Sequence, residues 1–369
     1  MYLQNLLQYC ARNCVIAEGK ACHAQILRAV LWVDTLTANM LINMYCKCGL
    51  LKPARKVFDK MPERSLVSWN TMIGAYTQNG QEDEALALFV EMQRTGSSLS
   101  EFTVSSVLCA CAAKSAIFEC KQLHAFAIKT AIDSNVYVGT ALLDVYSKCN
   151  FMSEASWVFD SLEEKSDVTW SSMVAGYVRN ELYEKALKLY KKGQAVSLEQ
   201  NPFTMSSILS ACAGLAALNE GSQVHAVLSK AGFGGNVFVA SSLMDMYAKC
   251  GAVKEAYAAF SDQAQKNIVL WNAMITGFSR HGRCLEARIL FGKMQQMGVC
   301  PNEVTYVSIL SACGHMGLVK EGRKHFFLME QEHGVSPNVL HFSCLVDILG
   351  RAGLIEDAYD VITSNNYAI

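Results

Sequence analysis

The sequence predicts an all-α fold, a solenoid of stacked helix–turn–helix repeats. The first observation behind this prediction is an interval of 101 residues, which separates Trp69, Trp170 and Trp271 from one another. The second is the spacing of apolar residues by three and four, which is typical of helices with one buried face. The interval of 101 also separates the members of four further sets: Tyr45, Tyr146, Tyr247; His23, His124, His225; Cys48, Cys149, Cys250; and Cys10, Cys111, Cys212, Cys313.

Each block of 101 residues divides into three repeats of 35, 35 and 31 residues. In one of the longer repeats, Val67, Ile73 and Tyr76 are spaced to share one face of a first helix. Asn79-Gly80 then signals a turn, and a second helix of similar length follows. Helix pairs of this length cannot bury their apolar faces alone, so we expect neighbouring pairs to stack on one another.

The shortest repeats share a turn residue that is glycine or asparagine: Gly49, Asn150 and Gly251. These two residue types adopt the left-handed backbone conformation at the lowest cost. The three positions are therefore predicted to be C-terminal caps of the first helix.

Composition excludes several other classes of protein. An apolar fraction of 51% rules out a disordered chain. The formal net charge of −1 does not indicate strong non-specific nucleic-acid binding. The chain contains no uninterrupted apolar run of the roughly 18 residues that a membrane span needs, so no membrane partner is expected.

The 15 cysteines do not indicate a metal or redox site. No two of them stand in Cys-x-x-Cys spacing, which is the shortest element of most zinc and thioredoxin motifs. Because seven of them follow the interval of 101 residues, we interpret the cysteines as small apolar residues that pack in a recurring element.

Helix-hairpin repeats near 34 residues occur in both tetratricopeptide and pentatricopeptide proteins. The alternation of 35, 35 and 31 residues resembles the PLS subclass of plant pentatricopeptide repeat (PPR) proteins. The P-like repeats contain VSWNTMIGAY, VTWSSMVAGY and VLWNAMITGF, the L-like repeats FTVSSVLCACA, FTMSSILSACA and VTYVSILSACG, and the S-like repeats LINMYCKCG, LLDVYSKCN and LMDMYAKCG. The resemblance covers essentially the whole chain and implies a right-handed superhelix.

The same resemblance sets the repeat boundaries. Residues 1–34 resemble an L repeat that lacks its first residue, 303–338 an L2 repeat, and 339–369 a C-terminally truncated S2 repeat. Between them lie S repeats at 35–65, 136–166 and 237–267, P repeats at 66–100, 167–201 and 268–302, and L repeats at 101–135 and 202–236. Nine complete repeats are expected in all.

Arrays of this subclass often continue into a DYW cytidine-deaminase domain, which uses His-x-Glu and Cys-x-x-Cys to bind zinc and transfer protons. Neither motif occurs in this sequence. We therefore expect a non-enzymatic chain with no catalytic residue, metal site or cofactor. The incomplete first repeat and the short last one favour a fragment or a truncated gene product.

PPR arrays bind single-stranded RNA along the concave face, one nucleotide per repeat, and the resemblance assigns base recognition to the fifth and last residues of each repeat. Carried over to this sequence, the resemblance implies pyrimidine recognition by Asn39 with Ser65, Asn70 with Ser100, and Asn272 with Asn302. It implies adenine recognition by Ser171 with Asn201 and by Ser241 with Asn267. For Thr140 with Ser166 it implies at most a purine. The implied target reads about Y-Y-N-R-A-N-A-Y over repeats 35–65 to 268–302. A structural alternative is that these serines and asparagines are merely tolerated on a solvated face.

The second residue of each repeat is implied to wedge between successive bases. These residues are Leu36, Val67, Tyr137, Val168, Phe238 and Val269, and Phe102 offers a further stacking face. For any one valine, packing within the protein is an equally good interpretation.

The resemblance implies a recognition factor for C-to-U editing of transcripts in a plant mitochondrion or plastid. Its expected partners are single-stranded organellar RNA, organellar editing factors and a DYW-type deaminase acting in trans. The alternative is a protein-binding helical scaffold like tetratricopeptide arrays. Because the net charge is near zero, acidic residues on the convex side are expected to balance a basic concave face.

Overall fold

The computed structural model describes residues 2–29, 34–195 and 199–364. Over these residues the chain forms 22 α-helices, one short 3₁₀ turn at Phe233–Gly235 and no strand, which confirms the predicted all-α class. Parts of the predicted repeats 1–34, 167–201 and 339–369 lie outside the described residues, at positions 1, 30–33, 196–198 and 365–369.

The chain forms two compact halves, Met1–Asn180 and Glu181–Ile369. The N-terminal half contains α1 (Tyr2–Asn13), α2 (Ile16–Ala29), α3 (Thr35–Lys47), α4 (Leu51–Asp59), α5 (Leu66–Gln78), α6 (Glu82–Arg94), α7 (Glu101–Lys114), α8 (Ile117–Lys129), α9 (Val136–Lys148), α10 (Met152–Ser161) and α11 (Asp167–Arg179). The C-terminal half contains α12 (Tyr183–Ala195), α13 (Pro202–Gly214), α14 (Leu218–Ala231), α15 (Val237–Lys249), α16 (Val253–Ser261), α17 (Ile268–Arg280), α18 (Cys284–Gln296), α19 (Glu303–Met316), α20 (Val319–His333), α21 (Val339–Arg351) and α22 (Ile355–Ser364).

Odd-numbered helices are the first of each pair and even-numbered helices the second. Within each half, successive first helices pack side by side, as α3, α5 and α7 do in the N-terminal half and α15, α17 and α19 in the C-terminal half. Second helices such as α4 and α16 pack against their own first helix and against the first helix of the next pair. The core therefore runs between consecutive pairs, as expected for a repeat that cannot bury its apolar faces alone.

The recurring tryptophans lie in this core. Phe58 of α4 packs edge-on against Trp69 of α5 with ring centroids 4.9 Å apart, and Phe260 packs in the same way against Trp271 at 5.0 Å. Both tryptophans are buried. An aromatic contact therefore joins α4 to α5 and α16 to α17, the first helices of the following pairs.

The predicted left-handed turn residues are confirmed, since φ is +72° at Gly49, +65° at Asn150 and +80° at Gly251. One detail of the helix face is wrong. Ile73 and Tyr76 are buried as expected, but Val67 is 60% exposed and does not share their buried face.

The cysteines divide into three groups by burial. Cys10, Cys111, Cys212 and Cys313 are fully buried, and burial raises the pKa of the Cys111 thiol to about 12. Cys48, Cys149 and Cys250 are only partly buried, and Cys14, Cys109 and Cys300 are exposed. The packing interpretation therefore holds fully for the first set and partly for the second.

Candidate nucleic-acid interface

The last residue of each repeat caps the first helix of the next. Ser65, for example, has extended backbone, and its hydroxyl oxygen accepts a hydrogen bond from the backbone N–H of Ser68. Ser, Asn and Asp are the side chains that best accept such bonds from the unpaired N–H groups at a helix start. The same arrangement occurs at Asp34, Ser100, Asn135, Ser166, Asn201, Asn236, Asn267, Asn302 and Asn338.

Three of the predicted recognition pairs are joined directly by hydrogen bonds. The amide nitrogen Nδ2 of the fifth residue donates to the last residue of the same repeat, which fixes both side chains at the start of the next first helix. The donor–acceptor distances are 3.3 Å for Asn39 to Ser65, 3.2 Å for Asn70 to Ser100, and 2.9 Å for Asn272 to Asn302.

A threonine hydroxyl holds the opposite side of two of these amides. Thr103 donates to Oδ1 of Asn70, and Thr305 donates to Oδ1 of Asn272, both at 2.6 Å. Both threonines are fully buried. Sequence reasoning missed them, although the third residue of the L repeats is threonine at Thr103, Thr204 and Thr305, again at intervals of 101 residues.

Asn39 lacks this second contact. At the position equivalent to Thr103 and Thr305, the following repeat has Ser68. The hydroxyl of Ser68 is hydrogen-bonded to that of Ser65 at 3.0 Å. Oδ1 of Asn39 is buried and has no hydrogen-bond partner among the described residues. The first recognition pair is therefore held by one hydrogen bond, whereas the pairs that begin at Asn70 and Asn272 are each held by two.

Two further predicted pairs, Thr140 with Ser166 and Ser241 with Asn267, are not joined directly among the described residues. Thr140 and Ser166 both hydrogen-bond the hydroxyl of Thr169, at 2.7 and 2.9 Å. In the described part of the chain no hydrogen bond connects Ser241 to Asn267, and Ser241 instead lines a groove together with Asn272 and Asn302.

Ser171 and Asn201 fall in different halves of the chain. The hydroxyl of Ser171 donates to the backbone carbonyl of Asp167 at 2.6 Å, and the side chain of Asn201 caps α13.

The predicted wedge residues are all exposed apolar side chains near the start of a first helix. Exposure is 60% for Val67, 49% for Val269 and 79% for Phe238. Leu36, Phe102, Tyr137 and Val168 are also exposed. Packing within the described protein therefore does not explain them, because each occupies the second position of its helix and faces solvent.

Two equivalent grooves lie between neighbouring first helices, one between α3 and α5 and the other between α15 and α17. The N-terminal groove, about 400 Å³, is lined by Asn43, Cys46, Lys47, Val67, Asn70, Thr71, Gly74, Ala75, Gln78 and Phe102. The C-terminal groove, about 470 Å³, is lined by Ser241, Asp245, Ala248, Lys249, Ile268, Val269, Asn272, Ala273, Thr276, Gly277, Arg280, His281, Asn302 and Val304. Each groove combines two wedge positions, a fifth-residue asparagine and at least one cationic side chain.

No three His, Cys, Asp or Glu side chains of the described residues are placed to hold a metal ion. None of the described helices is both long and apolar enough to cross a bilayer. A larger cavity of about 560 Å³ lies among α2, α3 and α4, lined mainly by apolar side chains such as Leu41 and Val57, and holds none of the predicted recognition residues.

Models of the PPR repeat family match this chain at residues 64–113 and 266–315, and PPR repeat models match at 33–62, 140–166, 168–194, 238–262 and 304–333. A mitochondrial pentatricopeptide repeat-containing protein of Arabidopsis thaliana is 40% identical over 306 residues, which cover 83% of this chain and 48% of the relative. A chloroplastic one from the same plant is 36% identical over 344 residues, 90% of this chain and 39% of the relative. This chain thus spans about half the length of the curated relatives it matches, or less.

Solved structures agree in fold. The crystal structure of the pentatricopeptide repeat protein PPR10 from maize superposes with a TM-score of 0.64 at 17% identity, covering 98% of this chain and 58% of that one. PPR10 in complex with an 18-nt psaJ RNA element superposes with a TM-score of 0.58 at 18% identity, covering 98% and 62%. At these identities the likeness shows the fold alone, an all-α repeat solenoid. Together with the repeat matches along the sequence, it establishes that this chain belongs to the pentatricopeptide repeat family.

Proposed function

We propose that this chain binds single-stranded RNA in a sequence-dependent manner, one nucleotide per repeat, through the fifth and last residues of its repeats. The observation that carries this proposal is the arrangement of Asn70 with Ser100 and of Asn272 with Asn302, each fixed beside an exposed apolar side chain on the same helix. Fixed amides beside exposed apolar faces are suited to unstacked bases, which need edge hydrogen bonds and stacking contacts. PPR10, a protein of the same fold, has been crystallised with RNA.

The asparagine amides that internal hydrogen bonds fix in place are proposed to favour particular bases. An asparagine side chain has two N–H donors and one oxygen acceptor, and the internal hydrogen bonds of Asn272 use one donor and one acceptor lone pair. The second N–H remains to meet a base edge, and the proposed preference is a pyrimidine. With the N-terminal end toward the RNA 5′ end, the proposed target stays about Y-Y-N-R-A-N-A-Y.

We further propose a role in C-to-U editing of organellar transcripts. The alternation of P, L and S repeats supports this role, since that order is the mark of the editing subclass. The deaminase and further editing factors would act in trans on RNA that this chain has bound. Relatives that carry mitochondrial or chloroplastic in their names support a plant organelle as the location.

The sharpest test is a change of base preference at a single nucleotide. Asn272→Ser with Asn302 retained recreates the pair proposed to prefer adenine. We expect the preference at that nucleotide to move from pyrimidine to adenine by about tenfold, since a good base contact is worth roughly 1–3 kcal/mol. Fluorescence anisotropy with eight-nucleotide RNAs that differ at one position would measure the shift.

Asn79→Ser is the matched control, because Asn79 donates to the carbonyl of Ala75 at a helix end and belongs to no recognition pair. It should leave base preference unchanged. If the parent protein binds the matched RNA no more tightly than a scrambled one, the proposed function is wrong. Binding of a peptide at the grooves instead would favour the scaffold alternative.

A further inference from the structure

Each of the two grooves has three charged or polar side chains at equivalent positions, and two of the three differ between the grooves. The N-terminal groove has Asn43, Lys47 and Gln78, and the C-terminal groove has Asp245, Lys249 and Arg280, each 202 positions further on. The lysine is common to both grooves. An aspartate and an arginine therefore replace an asparagine and a glutamine together.

A third copy of this set occurs 101 residues after the first. Asp144, Lys148 and Arg179 all belong to the N-terminal half, and they repeat the combination of the C-terminal groove. In each of the three copies the formal charges add to one positive charge: one lysine in the first copy, and two cations with one carboxylate in the others. The carboxylate and the arginine are thus present together or absent together.

In the second and third copies, the aspartate forms an ion pair with the lysine of its own helix. Nζ of Lys249 lies 2.8 Å from Oδ2 of Asp245, and Nζ of Lys148 lies 2.7 Å from Oδ2 of Asp144, both four residues apart. Asn43 provides no carboxylate for Lys47. Asp245 lines the same groove as the predicted recognition residues Asn272 and Asn302.

The arginines of the second and third copies, Arg179 and Arg280, differ from the lysines in this respect. Arg179 and Arg280 end α11 and α17, are exposed, and have no ion-pair partner among the described residues. A guanidinium presents a planar set of donors that matches the oxygens of a phosphodiester.

We propose that Asp144 and Asp245 engage the neighbouring lysines, so that each copy offers one unpaired cation to the RNA backbone. That cation is Lys47 in the first copy, Arg179 in the second and Arg280 in the third. This inference rests on the proposed RNA-binding function. It explains how a chain of net charge −1 keeps a positive charge at every S–P junction without a broadly basic surface.

The salt dependence of RNA affinity tests this assignment, because each neutralised phosphate on a single strand changes the slope of log K against log[salt] by about 0.7. Arg280→Gln should make the slope shallower by about 0.7, whereas Lys249→Gln alone should leave it unchanged. Asp245→Asn should release Lys249 and restore the parent slope in the Arg280→Gln background. When Lys249→Gln is added to the double variant Asp245→Asn/Arg280→Gln, the slope should become shallower by about 0.7.

The proposal requires the salt slope to depend on Arg280 in the parent protein and on Lys249 in the double variant. A simple effect of net charge would give the same change for Lys249→Gln in both backgrounds. If Lys249→Gln changes the slope equally in both backgrounds, or Arg280→Gln has no effect, the proposal is overturned. Lys254→Gln, which removes a positive charge from the second helix α16, is the matched control and should leave the slope unchanged. A parent protein that fails to bind the matched RNA would refute the proposed function, whereas normal binding with an unaltered Arg280→Gln slope would refute only this inference.

Discussion

At the scale of single residues, the last position of each repeat combines two structural roles. Ser100 accepts a hydrogen bond from the backbone of Thr103 and another from the amide of Asn70. Asn302 does the same for Thr305 and Asn272. These polar residues are therefore not simply tolerated on a solvated face. Helix capping restricts the last position to small polar side chains, and those side chains also suit base recognition.

Thr305→Val should loosen one recognition pair without altering its members. The substitution keeps the volume of the side chain but removes the hydroxyl, which donates to Asn272 Oδ1 and accepts from the backbone N–H of Asn302. A buried polar group left unsatisfied costs about 1–3 kcal/mol. We expect the free energy of unfolding to fall by that amount, as measured by urea denaturation. Base discrimination at the nucleotide read by Asn272 should weaken in parallel.

Thr71→Val provides the control for this prediction. The hydroxyl of Thr71 bonds only to the carbonyl of Val67 in its own helix, near solvent, so its loss should change stability by less than about 0.5 kcal/mol. Equal losses in the two variants would mean that the bond between Thr305 and Asn272 has no special weight.

At the scale of helices, the contacts of α2 with α3 and of α14 with α15 rely on complementary volumes. A Cβ added at Gly19 would lie 2.6 Å from Sδ of Met44, and one added at Gly221 would meet Sδ of Met246. At the equivalent contact between them in the sequence, Cys120 replaces the glycine and Val145 replaces the methionine. A larger residue on one helix is thus matched by a smaller one on the other, as close packing requires.

Gly221→Cys should therefore destabilise the C-terminal half by about 1–3 kcal/mol, because the new side chain overlaps Met246. Met246→Val should cost about 1–2 kcal/mol alone, through lost packing. Combined, they recreate the Cys120–Val145 contact, so the double variant should be more stable than the sum of the single losses predicts by at least about 0.5 kcal/mol. Strictly additive losses in thermal or urea unfolding would show that the two positions are independent.

At the scale of the whole molecule, sequence reasoning was most successful where the repeat itself fixes the structure. The all-α class and the left-handed turns at Gly49 and Gly251 follow from periodicity and turn chemistry. The charge arrangement could not be predicted, because the ion pair of Asp245 with Lys249 depends on which helix face meets the groove. The hydroxyl of Thr305 was missed for a similar reason, since a helix N-terminal threonine has many ordinary roles.

The recurring histidines show how one contact, repeated along the chain, gives a response of the whole molecule. Nδ1 of His23, His124 and His225 is hydrogen-bonded to the hydroxyl of Tyr45, Tyr146 and Tyr247 at 2.8, 2.8 and 2.9 Å. Burial lowers the pKa of all three histidines below the ordinary value. Lys60 lowers the pKa of His23 further, whereas Asp133 and Asp262 partly oppose the shift at the other two.

The sign of the resulting pH dependence follows from linkage. Because the folded pKa of each ring lies below its unfolded value of about 6.5, the unfolded chain binds more protons between those two values. The contribution to stability is fully present above about pH 6.5 and is lost as the pH falls from there toward the folded pKa.

Urea midpoints should therefore decline between pH 7.5 and 5.5. Replacing the three histidines with glutamine should flatten this decline, whereas His281→Gln, at an exposed position, should leave it as it was. Because the three contacts occur in both halves, a decline confined to one half would contradict a shared origin in the repeat.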